Sequence, residues 1–133
     1  MSFDWSEYLT LAKRLVGQST GPLSQEAIFR AAISRAYYAA FNETRRHLIH
    51  QENALDIPLD GRAHEIVQDK LMQSSDASRR RVGADLGRLR RARNDADYYD
   101  ELPVDTTISR KAQEAIVRAE RVIQALDSLP RPG

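Results

Sequence analysis

Residues 31–42 read AAISRAYYAAFN, and this stretch decides the fold. It lies inside a helix-like run from about Ser24 to His50. On a 3.6-residue period, Phe29, Ile33, Tyr37, Ala40, Thr44 and Leu48 fall on one side of that run. Ala31, Tyr38 and Ile49 fall on a second side, and Ala36 and Ala39 fill most of the remainder. A surface helix carries one apolar stripe, whereas this one is apolar nearly all round, so it is expected at the centre with helices packed on several faces. Its small alanines let neighbouring backbones come close. Arg35 is a permanent cation on this mostly buried helix. A buried cation needs a partner, and Asp97 or Asp95 is the expected carboxylate.

Working outward, an apolar stripe of Trp5, Tyr8, Leu9, Ala12, Leu15 and Val16 predicts a first helix from about Asp4 to Val16, with Ser2 or Asp4 as cap. GQSTGPL, from Gly17 to Leu23, is a linker, and Ser24 caps the central helix. QENALDIPLDG, from Gln51 to Gly61, is a long connection. A third helix follows from about Arg62 to Gln73, with Ala63, Ile66, Val67, Lys70 and Leu71 tracing its inner face. A fourth runs from about Ala77 to Tyr99 on a stripe of Val82, Leu86, Leu89, Ala92 and Ala96, and ends before Pro103. A fifth runs from about Thr107 to Leu129, with Ile108, Ala112, Ala115, Ala119, Val122, Ile123 and Leu126 inward; LPRPG then frays. No stretch alternates long enough for a strand, so the expected class is all-α, an up-and-down bundle of four to five helices forming one domain over residues 1–133.

Composition narrows the chemistry. The chain has 133 residues, 29% of them charged, with a formal net charge of +1, so nucleic-acid affinity has to come from local clustering. It has no cysteine, which excludes disulfides, thiolate catalysis and cysteine-ligated metals. No apolar run approaches the roughly 20 residues that span a bilayer, and MSFDWSEYL has no signal-peptide shape. A cytoplasmic protein with no membrane contact is the expectation. There is no Walker loop, dinucleotide glycine pattern or serine elbow. His47 and His50 lie one turn apart, yet no third ligand is placed, so neither a metal nor a cofactor is expected.

The fourth helix carries the sharpest signal. Arg79, Arg80, Arg81, Arg88, Arg90, Arg91 and Arg93 crowd into it, opposed by Asp85, Asp95 and Asp97. One reading is a solvated face with i, i+4 pairs such as Arg91–Asp95 and Arg93–Asp97. The other is a phosphate-binding ridge, because guanidinium groups match phosphate oxygens two at a time. A charge turned toward the core needs a structural salt bridge or a cleft at a subunit interface, and position puts one there: on an ideal helix Arg93 lies about 40° from the centre of the Leu89 stripe, inside the buried sector. Arg90 and Asp97 lie at its edge, and Tyr98 points away.

These residues resemble the HEPN superfamily, helical-bundle domains of prokaryotes and higher eukaryotes often associated with nucleotides and RNA. FDWSEYLTLAKRL is similar to the family's first helix, SRAYYAAFN (residues 34–42, with Arg35, Tyr37 and Tyr38) to its most recognisable motif, His64 to a histidine that starts the third helix, and LRRARNDADYY (residues 89–99, with Asp97) to the fourth-helix motif. The resemblance covers most of the chain. It implies a homodimer that brings two fourth helices together. In ribonuclease members an Arg is followed four to six residues later by a His, and RNA is cut without metal through its 2′-hydroxyl. Arg93-Asn94 matches the start of that motif, but Tyr98, Tyr99 and Asp100 stand where the histidine is expected. The implied catalytic set is then Arg93, Asn94 and Tyr98, with weak or no cleavage, and Arg90, Arg91 and Arg93 contact phosphate. Arg45 and His50 have the motif's spacing by chance, on the wrong helix. Relatives are often encoded beside a minimal nucleotidyltransferase antitoxin, some being modified by it on a tyrosine of this region, which makes Tyr98 the expected acceptor ahead of Tyr99. The resemblance thus implies a toxin-like or defence-related partner of such an enzyme, binding RNA or nucleotide. The alternative is a non-catalytic dimerisation or protein-interaction module.

Overall fold

The structure, a computed structural model, describes residues 3–18, 25–101 and 107–132. All regular structure among them is helical: α1 Glu7–Gly17, α2 Gln25–Glu52, α3 Ala63–Met72, α4 Ala77–Tyr98 and α5 Ile108–Leu126. The expected caps Ser2 and Ser24, the segment 19–23 and Pro103 lie outside the described residues.

The central role expected of the 31–42 stretch follows from its packing. α2 touches all four other helices, α5, α1 and α4 extensively and α3 lightly. Ala32, Ala36, Ala39 and Ala40 are fully enclosed, and Ile33, Tyr37 and Leu48 are among the largest side chains with almost no exposure. Thr44 hides its hydroxyl by donating to the Ala40 carbonyl at 2.7 Å, a local bond that lets a polar residue sit in an apolar helix. Ala31, placed on a buried side from the period, is exposed.

The ends are set by local chemistry. α1 starts three residues later than the periodicity suggests, because Asp4 takes the Ser6 amide at 3.0 Å and holds residues 4–6 as a turn. Asp76 caps α4 by accepting the Arg79 amide at 2.9 Å and the Ser78 hydroxyl. Thr107 caps α5 through the Arg110 amide. On α4, Gly83 and Gly87 face α3. A Cβ on Gly83 would lie 3.1 Å from Leu71 Cβ and the Met72 amide, and one on Gly87 2.8 Å from the Gln68 amide nitrogen. Their lack of a side chain is what lets α3 and α4 approach.

One arginine of the α4 ridge proves to be part of the packing. Arg79 is 2% exposed, whereas Arg80 and Arg81 beside it are exposed. It donates to both Glu52 oxygens at 2.7 and 3.0 Å and to the Pro130 carbonyl at 2.9 Å. His47 Nε2 lies 3.3 Å from the same carboxylate. The end of α2, the start of α4 and the tail therefore meet at one buried charge, and the LPRPG segment, expected to fray, is tied down at Pro130. Further along α4, Asp85 is buried and grips Arg121 of α5 at 3.0 and 3.1 Å, with Arg88 and Arg118 within 3.6 and 3.8 Å. That carboxylate pins α4 to α5.

Candidate functional site

Arg90 and Arg93 lie together near the Tyr37–His64 pair. The C-terminal turn of α4 is anchored by α2, where Arg30 donates to the carbonyls of Ala96 at 2.8 Å and Tyr99 at 2.7 Å. A guanidinium on the last carbonyls satisfies acceptors that the helix itself cannot. Ser34 of α2 adds a bond to Asp97 at 3.2 Å. These ties hold Arg93, one turn earlier, against the aromatic face of α2.

Tyr37 is the hub, 1% exposed. Its hydroxyl shares a hydrogen bond with His64 Nδ1, and its ring stacks near Phe41 and His64, with centroids 5.7 and 5.6 Å away. Phe41 and His64 themselves stack at 4.2 Å. Arg93, 8% exposed, places its guanidinium 5.4 Å from the Tyr37 ring centre, 5.3 Å from Tyr38 and 5.9 Å from Tyr98. Burial pushes the Tyr37 phenol well above its ordinary value, so it keeps its proton. Burial first, then the charges of Arg90, Arg93 and Arg45, hold His64 down at about 4, so it is neutral at pH 7. The charges of Arg90 and Arg93 only partly offset the rise at Tyr37.

The charge around this hub is one-sided. Among the described residues Arg90, Arg35 and Arg45 form no ion pair, and the single contact of Arg93 with an acid is a 4.0 Å approach to Asp97. The Arg93 Nε is buried without a hydrogen-bond partner among the described residues. The expected Arg35 carboxylate is not there. Asp97 is taken up by Ser34, and Arg35 instead donates to the Ser34 hydroxyl at 3.2 Å and lies between the rings of Tyr8 at 4.8 Å and Tyr38 at 5.2 Å. Half-buried rather than enclosed, it is stabilised by ring faces and solvent, and so needs no acid.

An open cavity of about 420 Å³ borders the cluster, lined by Trp5, Tyr8, Arg35, Tyr38, Phe41, Arg45 and His64 among others. Sequence reasoning missed Trp5, Tyr8, Phe41 and Arg45 as site residues. The signal was available, since Arg35, Tyr38, Asn42 and Arg45 recur at helical spacing on α2.

Of the residues expected to act together, Arg90, Arg93, Tyr37, Tyr38, His64 and Asp97 share one neighbourhood. Arg91 does not. It is exposed and lines the groove between α4 and α5 beside Arg88 and Lys111, since one residue along a helix turns the side chain by about 100°. Asn94 is half-buried. Tyr98 is 71% exposed and Tyr99 58% exposed. His50 is also exposed, and among the described residues no group of three His, Asp or Glu side chains is placed to hold a metal. Among the described residues no helix is long and apolar enough to cross a membrane. Compared with family models, curated proteins and solved structures, the chain matches none.

Proposed function

We propose that the chain is a HEPN-like cytoplasmic protein that binds RNA or a nucleotide through Arg90, Arg93 and Asn94, and that it acts as the toxin-like or defence-related partner of a minimal nucleotidyltransferase. The carrying observation is Arg93, a nearly buried guanidinium that the chain leaves short of an anion. Burying a cation without a close counter-charge is costly, and a phosphate oxygen between Arg90 and Arg93 offsets that cost with charge-assisted bonds. A two-fold interface along α4 would bring two such clusters face to face, with phosphate relieving their repulsion. The exposed Tyr98 hydroxyl is the group a nucleotidyltransferase would modify, its oxygen attacking the α-phosphate of a nucleoside triphosphate and displacing pyrophosphate to leave a phosphodiester.

Binding rather than rapid cleavage is the reading. Tyr98 stands where the ribonuclease motif needs a histidine, and the histidine that does reach the cluster, His64, gives its Nδ1 to Tyr37. The test is RNA binding by fluorescence anisotropy across a salt series, with EDTA present, alongside sedimentation of the protein alone. We expect a dimer and an affinity that falls steeply with salt. Arg90→Gln should weaken binding about tenfold or more, since a charged hydrogen bond contributes roughly 1.5–3 kcal/mol. A strict monomer at micromolar concentration, or tight binding that survives Arg90→Gln, refutes the reading.

A further inference from the structure

We infer that the cleft beside the arginine cluster seats one unpaired nucleobase, so that the ligand is a single-stranded nucleic acid rather than a duplex. This rests on the phosphate-binding reading of Arg90 and Arg93 and extends it. The cavity, about 420 Å³, lies in the range of small-ligand sites. Its walls are unusually aromatic for so small a bundle. Trp5 and Tyr8 come from the start of the chain, Tyr38 and Phe41 from α2, and His64 from α3. Two cations face the same space. Arg35 lies between the Tyr8 and Tyr38 rings, and Arg45 over Phe41 at 5.6 Å. The acid at the rim, Asp60, is already held by Arg62 through 3.0 and 2.8 Å bonds. Ring faces beside uncompensated guanidinium groups are what a flat base with an attached phosphate requires. A paired base keeps both faces stacked in its own helix and cannot enter.

The cleft and the arginine cluster are continuous. Tyr38 carries Arg35 near its ring at 5.2 Å and Arg93 at 5.3 Å, so one tyrosine joins the two. His64 is likewise shared, bonded to Tyr37 through Nδ1 and lining the cleft with the rest of its ring. A strand whose phosphate sits on Arg90 and Arg93 would thus pass its neighbouring base over Tyr38 into the cleft, with Arg45 on the next phosphate.

Trp5 is the single tryptophan, which makes its fluorescence a reporter of the cleft. The experiment titrates the full chain with an eight-nucleotide RNA, the same eight-mer with abasic sites, an AMP control and a matched duplex. The expected result is quenching of Trp5 by the base-bearing single strand, with affinity about tenfold above that of the abasic strand. AMP should quench weakly, and the duplex not at all. Tyr8→Leu should bring the base-bearing strand down toward the abasic one and leave abasic binding unchanged, whereas Arg45→Gln should weaken both strands alike; circular dichroism melts establish that both variants fold. Equal binding of base-bearing and abasic strands, or tighter binding of the duplex, overturns the cleft while the phosphate cluster stands. No binding of any oligonucleotide overturns both.

Discussion

Glu52→Gln tests the buried knot that joins α2, α4 and the tail. Arg79 is 2% exposed and Glu52 has a 5% exposed side chain, and their two bonds of 2.7 and 3.0 Å form a planar fork-to-carboxylate pair. Glutamine keeps the shape and removes the charge. It leaves a guanidinium that cannot lose its proton, faced by an amide and the Pro130 carbonyl. Stranding one partner of a buried pair costs on the order of 3–5 kcal/mol, a large part of the roughly 5–15 kcal/mol of a whole domain. The reverse change, Arg79→Met, should cost less, because Glu52 keeps His47 3.3 Å away as a second partner. The double change Glu52→Leu/Arg79→Met should recover most of the loss, since an apolar replacement of similar volume strands no charge. Urea unfolding at pH 8 with a common m-value gives the three free energies. If Glu52→Gln stays within about 0.5 kcal/mol of the parent, or costs less than Arg79→Met, the reasoning is wrong.

His64 should make stability pH-dependent. Its folded value is about 4 against 6.5 unfolded, so as pH falls through that window the unfolded chain takes a proton that the folded chain refuses. Stability should fall with pH there, level off below it, and be untouched above about 6.5. The ring is half-exposed, so solvent reduces the effect to on the order of 1 kcal/mol. His64→Gln should flatten the slope of urea midpoint against pH, and an unaltered slope would assign the dependence elsewhere. Arg35→Ala should lower stability by only about 1 kcal/mol, the scale of cation–π contacts. A calorimetric loss above about 3 kcal/mol would reveal a buried ion pair after all.

The helices were legible because their periods are local properties. The all-round apolar surface of α2 marked it as central, and the α4 stripe turned Arg93 inward. What stayed hidden depends on residues far apart in sequence. Arg79 reads as one of three surface arginines until Glu52, at the end of α2, returns to meet it. Arg35 reads as needing an acid until Tyr8 of α1 supplies a ring. His64 reads as the start of the third helix, but its bond to Tyr37 of α2 does not show until the two helices pack. Arg91, adjacent in sequence to Arg90, belongs to another face, which the residue count alone does not reveal unless the helical turn is applied to each arginine separately.

The central place of α2 also bears on how the chain is made. α2 leaves the ribosome well before one of its main partners, α5. At ordinary synthesis rates several seconds pass between them. During that interval α1 and the α3–α4 pair can shield only part of a helix that is apolar over most of its circumference. A nascent chain in that state offers a sticky surface to its neighbours, and polysomes crowd such chains together. Docking of α5, rather than the formation of any earlier helix, is what covers the last large flank of α2.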